Sequence, residues 1–202
     1  MTRVKTAVLI SGRGSNLKSL IAASRAPDYP AEIALAISNV EAAAGLEIAR
    51  EAGVPVKVIS HRGFDSREDF DRAIDAALRE AGIQLVCEAG FMRIHSEWFA
   101  REWEGRLLNI HPSLLPAFKG IRVHQQALEA GVKITGCTVH FIVPELDSGP
   151  IIAQAAVPVL PGDTEETLAA RVLAEEHKLY PNALKLVAEG KVKLEMGRAV
   201  FV

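Results

Sequence analysis

The sequence predicts an α/β fold: one mostly parallel, twisted sheet with helices on both of its faces. Short apolar runs alternate with amphipathic stretches of about 10–15 residues, which is typical of βαβ units. Two later apolar runs have no helix between them, so antiparallel strands are expected in the C-terminal half. The chain has 202 residues, enough for one well-packed α/β domain but short for two.

The individual elements follow from where these runs begin and end. Strands are predicted at residues 6–11, 33–38, 54–59, 85–89, 106–110, 134–143 and 151–158. Helices are predicted at residues 16–24, 42–52, 66–81, 95–101, 124–130 and 165–185, and the last is expected to end or kink before Pro181. Residues 191–202 are expected to add a short hairpin. Because ligands of such sheets bind beyond the carboxyl ends of the strands, the residues after each strand are the informative ones.

Composition and charge narrow the classes of function. A formal net charge of −2 disfavours a protein that binds nucleic acid by neutralising many phosphates. Cys87 and Cys137 lie in apolar runs without C-x-x-C spacing, so buried thiols are expected rather than a zinc or redox site. We find neither a signal peptide nor a run of about 18 apolar residues, so a cytoplasmic protein without a membrane segment is expected.

The first predicted strand runs into a glycine-rich turn, Ser11-Gly12-Arg13-Gly14-Ser15-Asn16. Glycines allow a tight turn and a close approach to a ligand, and a helix start offers unpaired N–H groups to an anion. Leu17 occupies the third glycine position of the dinucleotide fingerprint, and the G-K-[ST] of a Walker loop is missing. The turn is interpreted as a monophosphate cradle, with an ordinary capped turn as the alternative.

An amide and an imidazole, those of Asn109 and His111, end the strand predicted at 106–110. They are two residues apart, so in an extended chain both side chains point to the same face. The amide can hydrogen-bond a developing oxyanion, and the imidazole can add a donor or move a proton, as acyl transfer requires. An acidic partner for the imidazole is expected in the later Pro- and Gly-rich turn, where Glu145 and Asp147 are equal candidates.

At these residues the sequence resembles the glycinamide ribonucleotide formyltransferases, the folate-dependent enzymes of purine biosynthesis. The matching motifs are Ser11-Gly12-x-Gly14-Ser15-Asn16, Ala89-Gly90-Phe91-Met92-Arg93-Ile94, Leu108-Asn109-Ile110-His111-Pro112-Ser113-Leu114-Leu115-Pro116 and Glu145-Leu146-Asp147-x-Gly149-Pro150. The N-x-H-P-S-L-L-P element alone is shared with other formyltetrahydrofolate enzymes. The resemblance implies a single Rossmann-like formyltransferase domain over residues 1–202. Its N-terminal half would bind the phosphate and ribonucleotide, and its C-terminal half would bind folate and carry catalysis.

The resemblance also implies the reaction and the role of each site residue. The amino group of glycinamide ribonucleotide would attack the formyl carbon of 10-formyltetrahydrofolate, and no metal would be needed because the folate already activates the formyl group. Asn109 and His111 would stabilise the tetrahedral oxyanion, and Asp147 would hold His111 and help to move a proton towards N10. The residues implied to bind the ribonucleotide are Gly14, Ser15, Asn16, Pro112 and Glu176. Those implied to bind folate are Arg67, Met92, Arg93, Ile94, His95, Asn109, His140, Val143 and Asp147.

Three positions depart from the usual pattern of that family. Glu88 and His95 stand where leucine is frequent, at the edge of the implied folate pocket. Glu88 is expected either to alter this pocket or to point away from it. Arg122 replaces a histidine that would support the site from behind.

Two other classes of function remain as alternatives. One is a different formyltetrahydrofolate enzyme, such as a methionyl-tRNA formyltransferase or a formyltetrahydrofolate hydrolase. The other is a folate-binding module without catalysis. The slightly negative charge and the phosphate turn favour small-molecule substrates over nucleic acid as partners. A monomer and a homodimer fit the sequence equally well.

Overall fold

A computed structural model describes residues 3–202 and contains the predicted strands and helices. The strands are β1 (Val4–Ile10), β2 (Ala31–Ser38), β3 (Val56–Val58), β4 (Leu85–Glu88), β5 (Leu107–His111), β6 (Ile134–Phe141), β7 (Ile151–Pro158), β8 (Val192–Glu195) and β9 (Arg198–Phe201). The α-helices are α1 (Ser15–Ser24), α2 (Ala44–Glu51), α3 (Arg67–Glu80), α4 (Glu97–Glu102), α5 (Val123–Glu129) and α6 (Glu165–Ala188). A short 3₁₀ helix, His61–Gly63, precedes α3.

Seven of the strands form one sheet in the order β3-β2-β1-β4-β5-β6-β7. The first five strands of the chain pair in parallel, whereas β6 is antiparallel to both β5 and β7. The last two strands form a separate antiparallel hairpin. The predicted fold class, the antiparallel C-terminal strands and the terminal hairpin are therefore confirmed.

The strand order reverses at β1, which lies between β2 and β4. The loops after β1 and β4 consequently meet at the carboxyl edge of the sheet, where α/β folds bind ligands. Hydrogen bonds join these loops: Ser11 N donates to Gly90 O (3.1 Å), and Met92 N donates to Ser11 Oγ (2.8 Å). The glycine-rich turn and the segment implied to bind folate are thus direct neighbours.

Alternate residues of the central strands belong to two apolar layers, one on each face of the sheet. On one face Val8 and Ile10 pack with residues of α1 and α6, and on the other Leu9 packs with residues of α3 and α4. The largest fully buried side chains include Trp103, Tyr180, Phe99, Phe141 and Leu17. Burying a side chain of this size contributes about 1.5–3 kcal/mol, so these layers hold the sheet edge in place.

Helix α6 departs from the prediction because it continues through Pro181 to Ala188. The expected end before Pro181 is therefore wrong. Proline removes one intrahelical hydrogen bond, but both flanks of this turn are buried, and Pro181 O accepts a hydrogen bond from Tyr29 Oη (2.6 Å). The helix instead stops before Gly190, whose φ of 70° ends the helical path.

Cys87 and Cys137 are both buried and free, as predicted. Within residues 3–202, none of the helices has the length and apolar character needed to cross a membrane.

Candidate active site

Asn109 and His111 lie at the carboxyl end of β5, and both project to one face of the sheet, as their spacing predicts. His111 is buried, and its Nε2 donates to Phe118 O at 2.9 Å. A carbonyl can only accept, so this bond places a proton on Nε2 and leaves Nδ1 as the nitrogen that faces the site. The Nδ1 atom lies 3.6 Å from Asp147 Oδ1.

The structure brings Asp147, and not Glu145, to the imidazole. Asp147 has a φ of 47°, a left-handed conformation that aspartate tolerates better than most residues. Its Oδ2 accepts a hydrogen bond from Gly120 N (2.8 Å), which leaves Oδ1 directed at His111. Glu145 is exposed and forms no ion pair within residues 3–202. Turn geometry therefore selects between two carboxylates that the sequence left equal.

Asn109 is oriented by His140, which faces it across the antiparallel β5–β6 pair. His140 Nδ1 donates to Phe141 O (2.8 Å), so its Nε2 is the acceptor for Asn109 Nδ2–H (3.3 Å). Burial lowers the pKa of His140, consistent with a neutral ring that can accept this bond. The amide keeps a second N–H, which is free to donate to a substrate oxygen.

Close approach of the chain at Gly149 allows this arrangement. A Cβ at Gly149 would lie 1.7 Å from Phe141 O and 3.2 Å from His140 Nδ1. Only glycine lets the turn that carries Asp147 pass so near to the strand that carries His140. The turn and the catalytic strand are thereby held together.

The loop after His111 is tied down from β6 and β7. Thr138 Oγ1 donates to Ser113 O (2.7 Å) and accepts from Leu115 N (3.1 Å). Gln154 Nε2 donates to Leu115 O (2.9 Å). Pro112 thus begins a loop that is fixed beside the imidazole, as the sequence predicts.

The glycine-rich turn opens α1 with unpaired donors. Gly14 is left-handed (φ 74°) and caps the helix without any side-chain hydrogen bond. The N–H groups of Ser15, Asn16 and Leu17 donate to no group of residues 3–202. A helix start of this kind favours a bound anion through its N–H groups and its partial positive charge.

A buried pair, Asn16 and Glu176, connects this turn with α6. Asn16 Nδ2 donates to Glu176 Oε2 (2.7 Å), while Asn16 Oδ1 is buried without a partner in residues 3–202. Burial raises the pKa of Glu176, against the opposing effects of the Asn16 bond and the nearby His111. An unpaired acceptor and a carboxylate therefore lie beside the helix start, where they can receive ligand hydroxyls.

The segment after β4 presents three exposed side chains, those of Met92, Arg93 and Ile94, to solvent. The side chain of His95, which the resemblance implied as a folate contact, lies instead in the interior and is only 4% exposed. Its imidazole is occupied by carboxylates on both sides, so a folate contact at His95 stays a prediction for its backbone.

Glu88 resolves the question left by the sequence, because it is the partner of His95. His95 Nε2 bonds Glu88 Oε1 (2.5 Å) and His95 Nδ1 bonds Asp71 Oδ1 (2.7 Å). Sequence reasoning missed Asp71 altogether. A signal was present, since a charge in an apolar strand needs a buried partner.

The remaining predicted residues lie further out. Arg67 begins α3 and is exposed, and its side chain forms no hydrogen bond or ion pair within residues 3–202. Val143 is half-buried and is the second residue after β6. Arg122 is an exposed, left-handed residue (φ 57°) before α5. No group of three or more His, Cys, Asp or Glu side chains in the described part of the chain is arranged to hold a metal.

Comparison with known proteins gives one consistent set of similarities. The profile described as formyl transferase matches residues 4–184. The chain is 54% identical over 201 residues to the trifunctional purine biosynthetic protein adenosine-3 of Bos taurus, covering 99% of this chain and 20% of that protein. It is 44% identical to phosphoribosylglycinamide formyltransferase of Escherichia coli (strain K12), covering 95% of this chain and 91% of that one.

Solved structures agree with these sequence relatives. The crystal structure of glycinamide ribonucleotide transformylase 1 from Symbiobacterium toebii superposes with a TM-score of 0.96 at 47% identity, over 99% of this chain and 94% of that one. The chain thus spans about a fifth of the length of the bovine relative and nearly the whole length of the bacterial ones.

Proposed function

This chain belongs to the formyl transferase family, and we propose that it moves the formyl group of 10-formyltetrahydrofolate to the amino group of glycinamide ribonucleotide. The products are formylglycinamide ribonucleotide and tetrahydrofolate, in the de novo synthesis of purines. The observation that carries the proposal is the convergence of Asn109, His111 and Asp147 beside an unpaired helix start. Relatives named phosphoribosylglycinamide formyltransferase support the same substrate.

The ribonucleotide occupies the crevice between α1 and the end of β5. Its phosphate accepts from the unpaired N–H groups of Ser15, Asn16 and Leu17, next to the left-handed Gly14. Its ribose hydroxyls donate to Glu176 and to the unpaired Asn16 Oδ1. The amino group then extends towards Asn109 and His111 at the end of β5.

The folate lies along the exposed segment that contains Met92, Arg93 and Ile94. The backbone N–H groups of Arg93 and Ile94 have no acceptor within residues 3–202, so they can bind the amide edge of a flat ring. The exposed apolar side chains of Met92 and Ile94 add contact area beside it. On the opposite side, the chain from His140 to Val143 and the turn that carries Asp147 complete the pocket.

In the reaction, the amine nitrogen bonds to the formyl carbon and the carbonyl oxygen becomes an oxyanion. Asn109 donates its free N–H to that oxygen, and His111 adds a second donor from Nδ1 when that nitrogen is protonated. Asp147 stabilises this proton across the 3.6 Å gap, which leaves room for a shift or a bridging water as the site closes. The C–N10 bond then breaks, N10 takes up a proton, and the amine loses one.

The decisive experiment mixes the purified protein with glycinamide ribonucleotide and 10-formyltetrahydrofolate and follows the loss of the donor and the formation of the formylated amide. Parallel reactions offer formylatable methionyl-tRNA, or water alone, as acceptor. Turnover that requires glycinamide ribonucleotide is expected. Turnover only with the tRNA or with water would replace the proposal by one of its alternatives, and binding without turnover would point to a binding module.

Three further statements stay predictions. They are the division into an N-terminal ribonucleotide half and a C-terminal folate and catalytic half, the cytoplasmic location, and the monomeric or homodimeric state. Small molecules are the expected partners.

A further inference from the structure

A buried network beneath the folate segment is not used by the reaction as described above. We propose that Glu88, His95 and Asp71 are positioning residues for the formyl donor, which hold residues 92–94 against the strand that carries Asn109. This inference rests on the proposal that residues 92–94 contact the folate.

The imidazole of His95 is held in every direction. Asp71 and Glu88 face its two nitrogens at 2.7 and 2.5 Å. Phe91 and Phe99 both stack with it, with ring centroids 5.4 and 4.3 Å away. Two carboxylates and two aromatic rings therefore restrict the position of the imidazole.

The charge state agrees with this geometry. Burial alone lowers the pKa of His95, but the Glu88 carboxylate and the hydrogen bonds to Asp71 and Glu88 outweigh it and raise this pKa to about 9. Both ring nitrogens meet acceptors, which fits an imidazolium that donates twice. Burial also raises the pKa of Glu88, whereas the neighbouring His95 lowers it. A buried Glu88 carboxylate without the His95 imidazolium would be costly.

The segment between β4 and α4 needs such an anchor because it has no regular secondary structure. At its start, Met92 N donates to Ser11 Oγ (2.8 Å). At its end, Ser96 N donates to Asp71 Oδ2 (2.5 Å), and His95 is tied to Glu88. Met92, Arg93 and Ile94, which run from the first anchor to the second, are exposed, so their position depends on the two fixed ends.

The network also reaches the catalytic strand. Glu88 is the last residue of β4 and pairs in register with Asn109 on β5. In-register neighbours on parallel strands project to the same face and lie about 5 Å apart. A shift of Glu88 or His95 would therefore move the donor segment relative to the amide that holds the oxyanion.

Stability alone is a weak explanation for this network. Replacing a buried ion pair with apolar residues of similar size often leaves stability unchanged or improves it, whereas removing one partner strands a charge. The two positions are consequently expected to act as a unit, with Asp71 still holding Ser96 when both are changed.

The test measures steady-state kinetics and melting temperature for Glu88→Leu, His95→Leu and the double variant E88L/H95L. Each single change is expected to raise the KM for 10-formyltetrahydrofolate at least tenfold, with the KM for glycinamide ribonucleotide and kcat within about threefold. The double variant is expected to recover most of the donor KM, because two leucines fill the space beside Phe91 and Phe99 and strand neither an imidazolium nor a glutamate. Asp71 loses its hydrogen bond from His95 in this variant but keeps the one from Ser96 N.

Two further variants separate positioning from general destabilisation. Glu88→Gln keeps an oxygen acceptor for His95 and is expected to keep the donor KM within about threefold. Trp103→Phe removes the hydrogen bond from Trp103 Nε1 to Asp75 Oδ1 (3.0 Å), which also joins α3 to the α4 region but involves none of Glu88, His95 and residues 92–94. It is expected to lower the melting temperature without changing the donor KM.

Several outcomes would overturn the inference. Folded single variants with an unchanged donor KM would leave the network a purely structural role. A rise of the donor KM in Trp103→Phe equal to that in Glu88→Leu would mean the same. A double variant no better than Glu88→Leu would mean that Glu88 and His95 do not act as a unit in holding residues 92–94. If the single leucine variants do not fold, Glu88→Gln and the double variant carry the test. Absence of turnover in the unchanged protein would instead refute the proposed function.

Discussion

Substituting alanine for Gly14 tests whether the glycine-rich turn is shaped by packing. An added Cβ at this position would lie 2.5 Å from the Cα of Gly45 in α2, a backbone atom that cannot rotate away. Gly45 N also donates to Gly12 O (3.0 Å), so the turn and α2 are already in close contact. The φ of 74° at Gly14 adds the cost of a left-handed alanine.

The two costs can be separated with Gly53→Ala as the matched control. Gly53 has nearly the same φ, 75°, but an added Cβ there meets nothing within 4 Å. The control therefore carries only the left-handed cost of about 1–2 kcal/mol. Gly14→Ala adds overpacking against backbone, about 1–3 kcal/mol. The loss of freedom in the unfolded chain is common to both variants and cancels in the comparison.

Urea denaturation and thermal melting measure the difference. We expect Gly14→Ala to be less stable than Gly53→Ala by about 2 kcal/mol, or roughly 6 °C in Tm for a chain of this length. Because the turn must move away from α2, the KM for glycinamide ribonucleotide should rise about tenfold or more, with kcat at saturation within about threefold. The donor KM should stay unchanged.

Equal stability of the two variants would refute the packing argument. An unchanged KM for the ribonucleotide in a clearly destabilised Gly14→Ala would separate the turn from substrate binding and contradict the phosphate assignment. Gly53→Ala should bind the ribonucleotide normally, so a raised KM there would point to an indirect effect.

Four other predictions concern the site and its surroundings. His111→Ala should lower kcat about 10²–10³-fold in steady-state kinetics, and a near-normal kcat in a folded variant would remove His111 from the mechanism. Asp147→Asn should fold normally, since asparagine accepts a φ of 47° and can still accept from Gly120, but turnover should fall strongly; an unchanged pH–rate profile would exclude Asp147. His140→Leu removes the acceptor that orients Asn109 and should lower kcat about tenfold to a hundredfold, so full activity would make that hydrogen bond irrelevant. Because the pKa of His95 is raised from 6.5 to about 9 in the folded protein, its protonation stabilises the fold. This stabilisation, about 3 kcal/mol at most, is fully present below pH 6.5 and is lost as the pH rises through about 9. Urea denaturation below pH 6.5 and above pH 9 should show that loss of stability in the unchanged protein and not in E88L/H95L. An equal pH dependence of stability in the two proteins would contradict the prediction.

Local pattern determined most of the fold. Apolar runs and amphipathic stretches reflect contacts that each segment makes with the layer above or below it, so the helices and strands could be predicted to within three residues at their ends. Pro181 shows the limit of that reasoning. Its local effect is to break a helix, yet burial of the surrounding turn and the hydrogen bond from Tyr29, which is 152 residues away, keep α6 continuous.

In the candidate active site, too, some features follow from local sequence and others only from the tertiary structure. The two-residue spacing of Asn109 and His111 decided by itself that both side chains share a face, because strand periodicity is a local property. The choice of Asp147 over Glu145 required the left-handed turn and the Gly120 hydrogen bond, which depend on how distant loops meet.

The pairing of His95 with both Glu88 and Asp71 likewise required the tertiary structure. Glu88 is seven residues from His95 in the chain and Asp71 is 24, and they reach it from β4 and α3. From the sequence, each was only a charge without a known partner. Sequence spacing determines which side chains project together, but only the packed chain determines which charges meet, since a buried ion is stable only where its partner is brought to it.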